Sequence, residues 1–216
     1  MINRLATHVA EYGSEDGPLV VGVTGIDASG KSSMTTMLEQ ELTKLGRAVQ
    51  VIRLDDFHRP RIDRYREGIS EPEKYYEQSF DLERLSKEVL HPIRDEGELE
   101  MNLVCLDVVE DTWSVDRHYS VNEDSIVLLD GVFLFRPELS HYVDLMIFLR
   151  VDEGVAIDRG LARDSSALSE DILRRYQTKY LPAQRTYLAA YPSERNADII
   201  IDNNDWNNPL IIKWPH

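Results

Sequence analysis

The run Gly25-Ile26-Asp27-Ala28-Ser29-Gly30-Lys31-Ser32 sets two glycines, a lysine and a hydroxyl at the spacing G-x-x-x-x-G-K-[ST]. A polypeptide with that spacing can hold a chain of phosphates. The glycines let the backbone curl until successive N–H groups face inward, and a helix beginning near Lys31 adds its positive end. Lys31 reaches the outer phosphates, and Ser32 offers a hydroxyl to Mg²⁺. Gly25, Ile26, Asp27, Ala28, Ser29, Gly30, Lys31, Ser32 and the adjoining Ser33 are the expected cradle for the phosphates of ATP. Asp27 is a carboxylate inside an anion cradle, so it must point away from the phosphates, toward solvent, metal or acceptor. The plain alternative is an ordinary glycine turn. The apolar run before the motif and the amphipathic stretch after it speak against that alternative.

A site that moves a phosphoryl group needs a second metal anchor and a group that orients the attacking hydroxyl. Two apolar runs end in suitable acids. Ile126-Val127-Leu128-Leu129 delivers Asp130 and then Gly131, which suits a metal anchor acting directly or through water. Turn chemistry is the competing explanation of an Asp-Gly pair. The run over residues 48–54 ends in Asp55-Asp56-Phe57-His58, which in a parallel sheet opens onto the same edge as the cradle. An aspartate there is ionised at pH 7, so it is a weak proton acceptor but can orient a nucleophile and bind metal. Spacing does not choose between Asp55 and Asp56, and both also suit a solvated loop. The expected metal ligands are Ser32, Asp55 and Asp130.

The elements that must position these groups follow from periodicity. Apolar runs at residues 19–24, 48–54, 103–109, 126–130, 143–151 and 198–202 each read as a strand buried on both faces. Met34, Leu38, Leu42 and Leu45 recur at helical spacing from Lys31 until Gly46. Similar spacing predicts helices over about residues 82–93 and 169–191, with Pro182 kinking or splitting the second. Strands alternating with helices imply a three-layer α/β/α P-loop NTPase fold around a mostly parallel sheet of about five strands. Residues 1–17 read as a docked helix with Ile2, Leu5, Val9 and Tyr12 on one stripe, and residues 59–80 as a long loop or partial helices.

Composition limits the partners. The 216 residues suit one domain, 1–216. The 24 Lys and Arg against 39 Asp and Glu leave a net charge of −15, which repels nucleic acid and anionic lipid. No apolar stretch approaches the roughly 20 residues of a membrane span, and no repeat recurs at a period of roughly 20 to 50 residues. The single cysteine, Cys105, lies in an apolar run as a buried thiol. These features lead us to expect a soluble cytoplasmic protein acting on a small-molecule substrate, without nucleic-acid or membrane partners, and with a homo-oligomer left open.

Along most of its length the chain resembles the uridine kinase and phosphoribulokinase group of P-loop kinases. Beyond the cradle, Leu54-Asp55-Asp56-Phe57-His58-Arg59 resembles the group's strand-two acid followed by an aromatic pair, and Ser79-Phe80-Asp81 resembles the start of its next helix. Asp130-Gly131-Val132 resembles its acid-glycine turn, Arg159 through Asp164 its lid, and Pro182-Ala183 with Ala197-Asp198-Ile199-Ile200 its closing helix and strand. The resemblance implies an ATP- and Mg²⁺-dependent kinase in which Lys31, Asp55 and Arg163 are catalytic. It also implies that Asp55 faces the acceptor and that Arg163 and Arg159 cover the phosphates from a lid over about residues 159–170. Asp55, His58, Arg59, Tyr75, Tyr76 and Phe80 then stand on the substrate side.

Departures from the group concern the acceptor more than the reaction. Tyr75 stands where uridine kinases carry a ribose-gripping aspartate, the aromatic residue they place near Cys105 or Leu106 is not kept, and Gly160 replaces a lid arginine. Arg59, Arg61, Arg64, Arg66 and Lys74 cluster in an otherwise acidic chain, either to receive an anionic acceptor or to pair with Asp63, Glu67, Glu71 and Glu73 on a solvated surface. Taken with the resemblance, the expected reaction is phosphoryl transfer to a hydroxyl of a small molecule, a nucleoside or related metabolite. The alternatives are a sugar-phosphate or vitamin-precursor kinase and a regulatory ATPase. The Asn-Lys-x-Asp guanine-reading motif of common GTPases is absent from the sequence.

Overall fold

The computed structural model describes residues 1–13, 17–163 and 169–215. Its strands are β1 (Leu19–Gly25), β2 (Val49–Arg53), β3 (Leu99–Asp107), β4 (Thr112–Val121), β5 (Ile126–Asp130), β6 (Leu145–Arg150), β7 (Ile199–Asp202) and β8 (Leu210–Lys213). Six of them form one sheet in the order β2-β5-β1-β6-β7-β8. The first five run parallel, and β8 adds an antiparallel edge.

The central strands are apolar on both faces because both faces are covered. Alternate residues of β1, β5 and β6 feed two cores. Val21, Val23, Leu128 and Ile147 meet Leu5 and Val9 of helix α1 (Ile2–Glu11) and Met34, Leu38 and Leu42 of helix α2 (Lys31–Lys44). Val20, Val127, Leu129, Met146 and Phe148 face the opposite layer, which includes Val89, Leu90, Phe133 and Tyr187. Each fully buried Leu or Phe in these layers contributes roughly 1.5–3 kcal/mol.

The structure differs from the sequence reading in several elements, each for a physical reason. The run at residues 103–109 belongs to an antiparallel hairpin, β3 with β4, outside the main sheet. Only one face of β3 is covered, so its burial alternates. The expected sheet of about five strands gains a sixth because Leu210–Lys213 pairs along β7 and closes that edge. The N-terminal helix ends at Glu11, and residues 14–16 of the expected 1–17 segment lie outside the described residues.

Pro182 does not split its helix. Immediately before it, Tyr176–Tyr180 widens into a π turn and the Leu181 amide bonds five residues back to the Tyr176 carbonyl. Pro182 then falls in the first turn of Leu181–Ala190, where its missing N–H leaves nothing unsatisfied. Pro92 is absorbed the same way behind the π turn Ser86–Leu90, and the helical run ends before Gly97, which adopts φ +75°. Residues 59–80 are partial helices: Arg61–Arg64, then Glu71–Glu73 with a Ser70/Glu73 capping box, then the π turn Lys74–Gln78.

Parallel register sets the site. Val23 of β1 and Arg53 of β2 both lie level with Asp130 of β5, so the segments leaving these three strands emerge together at one edge.

Candidate active site

At that edge β1 ends in Gly25, whose φ of +155° no side chain could accompany, since a Cβ would come 2.6 Å from the Leu149 carbonyl oxygen. The chain curls through Ala28 at φ +57° and Gly30 at φ +94°, and α2 starts at Lys31. The first-turn amides of Lys31, Ser32 and Ser33 have no partner inside the helix. Lys31 Nζ donates to the Ile26 carbonyl at 3.0 Å. From the turn after β7, two strands along the sheet from β1, Asn203 Nδ2 donates to the buried Ser29 carbonyl at 2.7 Å, and a Cβ on Gly30 would strike that same amide. Asn203 thus clasps the loop from the turn after β7.

Asp130 is 5% exposed. Burial pushes its carboxyl above the usual carboxylate range, opposed by the Lys31 ammonium and a hydrogen bond from Ser32, while the Asp55 charge adds to the rise. Asp55 and Asp56 occupy one 3₁₀ turn, Leu54–Phe57, in which successive side chains diverge by about 120°. Asp55 is exposed and lines the cleft. Asp56 is buried in the other direction, accepting from Arg117 Nε at 2.9 Å and the Tyr119 hydroxyl at 3.3 Å, both on the hairpin. Asp27 accepts from the Tyr75 hydroxyl at 2.7 Å and from Gln184 Nε2 at 3.2 Å, so both of its oxygens are engaged by protein donors. Burial first, then the Asp27 charge, drives the Tyr75 phenol well above its ordinary value, and it remains a donor.

Together these groups line a cavity of about 350 Å³ with Lys31, Ser32, Asp55, Tyr75, Asp130, Arg159 and Arg163 on its walls. Arg159 also donates to the carbonyls of Asn203 at 2.7 Å and Asn204 at 3.1 Å, tying the helix Glu153–Arg163 to the same turn. Of the expected lid, residues 164–168, including Asp164, lie outside the described residues. Gly160 faces the Tyr176 ring, which a Cβ would meet at 2.4 Å, so packing there excludes a side chain.

Of the residues expected on the substrate side, His58, Arg59, Tyr76 and Phe80 do not line the cleft itself. His58 stands behind Asp55, its Nδ1 2.8 Å from the Asp55 carbonyl and its ring 4.6 Å from Phe80. Burial lowers the affinity of its imidazole for a proton, partly offset by Asp55. Arg59 faces Asp81 at 3.6 Å, away from the cleft. Tyr76 lies under the Arg136 guanidinium at 4.4 Å and against Phe133, and Phe80 is buried. Gln184 and Asn203, which brace the cleft through Asp27 and the Ser29 carbonyl, are not among the expected site residues. Their contacts span 157 and 174 positions, so nothing local marks them.

The donor set suits a hard cation. Ser32, Asp130 and Asp55 present oxygen only, and among the described residues no group of three or more His, Cys, Asp or Glu could hold a metal ion. Such a set matches Mg²⁺ held by one or two carboxylates together with phosphate oxygens. The inward-facing first turn of α2 likewise suits a phosphate chain.

A curled loop at the head of α2, a lysine, a serine and a buried strand-end aspartate, and a second acid lining the same cleft define a P-loop kinase. The match is specific: residues 20–208 fit the model of the "Phosphoribulokinase / Uridine kinase family", and the chain belongs to that family. Membership makes it an ATP-dependent kinase. Among curated relatives, Uridine-cytidine kinase B of Dictyostelium discoideum is 26% identical over 189 residues, 85% of this chain and 74% of its own length. A uridine kinase of Limosilactobacillus reuteri is 25% identical over 198 residues, 90% of this chain and 87% of its own. The solved structure of a possible uridine kinase from Bacillus stearothermophilus superposes with a TM-score of 0.72 at 24% identity, covering 92% of this chain and 96% of that one. Among the described residues no helix is long and apolar enough to cross a membrane.

Proposed function

We propose that the protein transfers the terminal phosphoryl group of ATP to a hydroxyl of a small molecule, with Asp55 aligning that hydroxyl. The observation that carries this reading is the shared cleft, which Asp55, Lys31, Ser32, Asp130, Arg159 and Arg163 all line. When bound, ATP with Mg²⁺ supplies the transferable group and neutralises charge on its phosphates. The amides at the head of α2 and the Lys31 ammonium bind the phosphates, while Ser32, Asp130 and Asp55 are the residues that would hold the ion. Asp55 orients the acceptor hydroxyl and accepts a hydrogen bond from it. Arg163, with Arg159, places positive charge over the transferring group.

The names of the relatives make uridine and cytidine the first acceptors to test. A non-nucleoside acceptor is favoured by Tyr75, which fills the resembled ribose position and is already committed to Asp27. The test is a screen of nucleosides, sugars, sugar phosphates and vitamin precursors with folded, nucleotide-bound protein. An ATP-dependent phosphorylated product is expected from at least one, and nucleotide-bound protein that yields none would end the reading.

A further inference from the structure

Behind Tyr75 lies a second cavity of about 480 Å³, and Tyr75 lines both it and the cleft. Its other walls carry His58, Arg61, Arg64, Arg175 and Lys179. The helix Arg61–Arg64 contributes two of these cations, and the helical run that begins at Ser169 contributes two more. In a chain with a net charge of −15 this is an island of the opposite sign.

The cations of residues 59–74 divide into two groups. Arg66 pairs with Asp63 at 2.7 Å and Lys74 with Glu71 at 2.8 Å, as a solvated surface requires. Arg64 is different, being only 9% exposed with its Nε buried and without a hydrogen-bond partner. Among the described residues its ion-pair partner is Asp111, which stands 3.6 Å from a terminal nitrogen and already accepts from the Arg61 amide. Lys179 lies over the rings of Tyr65, Tyr75 and Tyr180 at 5.0, 5.8 and 5.6 Å, and among the described residues it makes no ion pair or hydrogen bond. Arg64 and Lys179 thus bring two cations to the wall of one chamber, with only the Asp111 ion pair and the field of Glu71 to offset them, and like charges gathered in a partly desolvated chamber favour a bound anion. Arg and Lys in that arrangement recognise phosphate and carboxylate through charge-assisted hydrogen bonds.

The chamber also backs onto the reacting end of the cleft, since His58 on its wall is hydrogen-bonded to the backbone of Asp55. We infer that the acceptor carries an anionic group, a phosphate monoester or a carboxylate, which Arg64 and Lys179 hold in this chamber while its hydroxyl meets Asp55. This rests on the kinase reading above and narrows it. Arg61 and Arg175 add field at the rim, and the Tyr75 ring, fixed by Asp27, is the wall the acceptor passes.

The test uses the full chain and matched acceptors: a pentose and its 5-phosphate, a nucleoside and its monophosphate, and glycerol with glycerol phosphate and glycerate. The anionic member of one pair is expected to exceed its neutral partner by about 10-fold or more in kcat/KM. The phosphate and carboxylate arms identify which anion is taken. Lys179→Met and Arg64→Gln should each raise KM for that acceptor by about 10- to 100-fold while KM for ATP moves by less than about twofold. Because Arg64 is buried, Lys179→Met is decisive if the arginine variant fails to fold. Preference for neutral acceptors, or an anionic acceptor whose KM is unmoved by Lys179→Met, overturns the chamber and leaves the kinase standing. Nucleotide-bound protein that phosphorylates nothing overturns both.

Discussion

The two sides of the cleft are built differently. The nucleotide side is contiguous: nine successive residues, Gly25 to Ser33, present backbone amides, one ammonium and one hydroxyl from the junction of β1 and α2. The acceptor side is assembled from distant segments held together by side chains, with Asp27 bound to Tyr75 and Gln184, and Asp56 bound to Arg117 and Tyr119. Backbone recognition tolerates little change in sequence and so leaves a motif. Side-chain assembly leaves freedom to change the substrate, and the departures from the uridine kinase pattern at Tyr75 and at Cys105 or Leu106 fall in or beside that half, while Gly160 belongs to the lid helix.

Substitutions on the nucleotide side should act on rate with little regard to acceptor. Lys31→Ala is expected to lower kcat by about 10²–10³-fold or more by removing a preorganised charge, with folding intact by circular dichroism. The neighbouring acids sharpen the contrast. Asp55→Asn should cost about 10²–10³-fold in kcat and hardly change thermal stability, because that side chain is exposed. Asp56→Asn should retain most activity but lose about 1–3 kcal/mol, since Arg117 loses its counter-charge and one of the two donors, Arg117 or the buried Tyr119 hydroxyl, meets an NH2 group in place of an acceptor. For a chain of this size each kcal/mol shifts the melting temperature by about 2–4 °C. Reversed phenotypes would exchange the roles of the two acids.

Asp130 makes a different prediction. A carboxyl held above its ordinary 3.8 in the folded chain loses its proton more readily when unfolded. Stability therefore falls as pH rises from 3.8 through the folded value, and the penalty is complete above that value. Asp130→Asn should raise the melting temperature of ligand-free protein at pH 7 while lowering kcat. A melting temperature that falls instead would mean the Lys31 and Ser32 contacts outweigh the burial.

These contrasts explain what the sequence disclosed. The cradle, the parallel strands and Asp130 were legible because each depends on near neighbours. Choosing Asp55 over Asp56 required the family resemblance, since adjacent positions differ only in which way a 3₁₀ turn aims them. The strand β4, Thr-Trp-Ser-Val-Asp-Arg-His-Tyr-Ser-Val, was hidden because most of its side chains face solvent, with Tyr119 and Val121 the buried ones. Cys105 was read correctly as a buried thiol, pushed up to about 11 by its surroundings, chiefly desolvation. The basic cluster was visible as composition, but its division into surface pairs and chamber cations depends on Lys179, more than 100 positions away.

Within the acceptor side, Tyr75→Phe should be milder than any change to the acids. It removes one hydrogen bond to Asp27, which keeps Gln184, so the expected loss is about 1 kcal/mol. If Tyr75 also sets the passage to the chamber, KM for the acceptor should rise with KM for ATP unchanged. Equal changes in both would assign the tyrosine a purely structural role.

The smallest expected effect separates the two sides by pH. Burial lowers the folded pKa of His58 below its ordinary 6.5, and the nearby charges of Arg64 and Lys179 act in the same direction. The unfolded chain then binds a proton more readily, so stability is lost as pH falls below 6.5 toward the folded value. The ion-paired acids Glu138 and Glu153 lie below their ordinary 4.5, so the stability they contribute is lost only as pH falls below that value. Between about pH 7 and 5 the imidazole should therefore be read with little interference from them. His58→Gln is expected to flatten the fall in melting temperature over that interval and to leave the slope below it intact. An anion bound between Arg64 and Lys179 would cancel part of the positive field on the ring, so saturating acceptor should flatten the wild-type curve as well. If ATP alone flattened it equally, the link between His58 and the acceptor side would be broken.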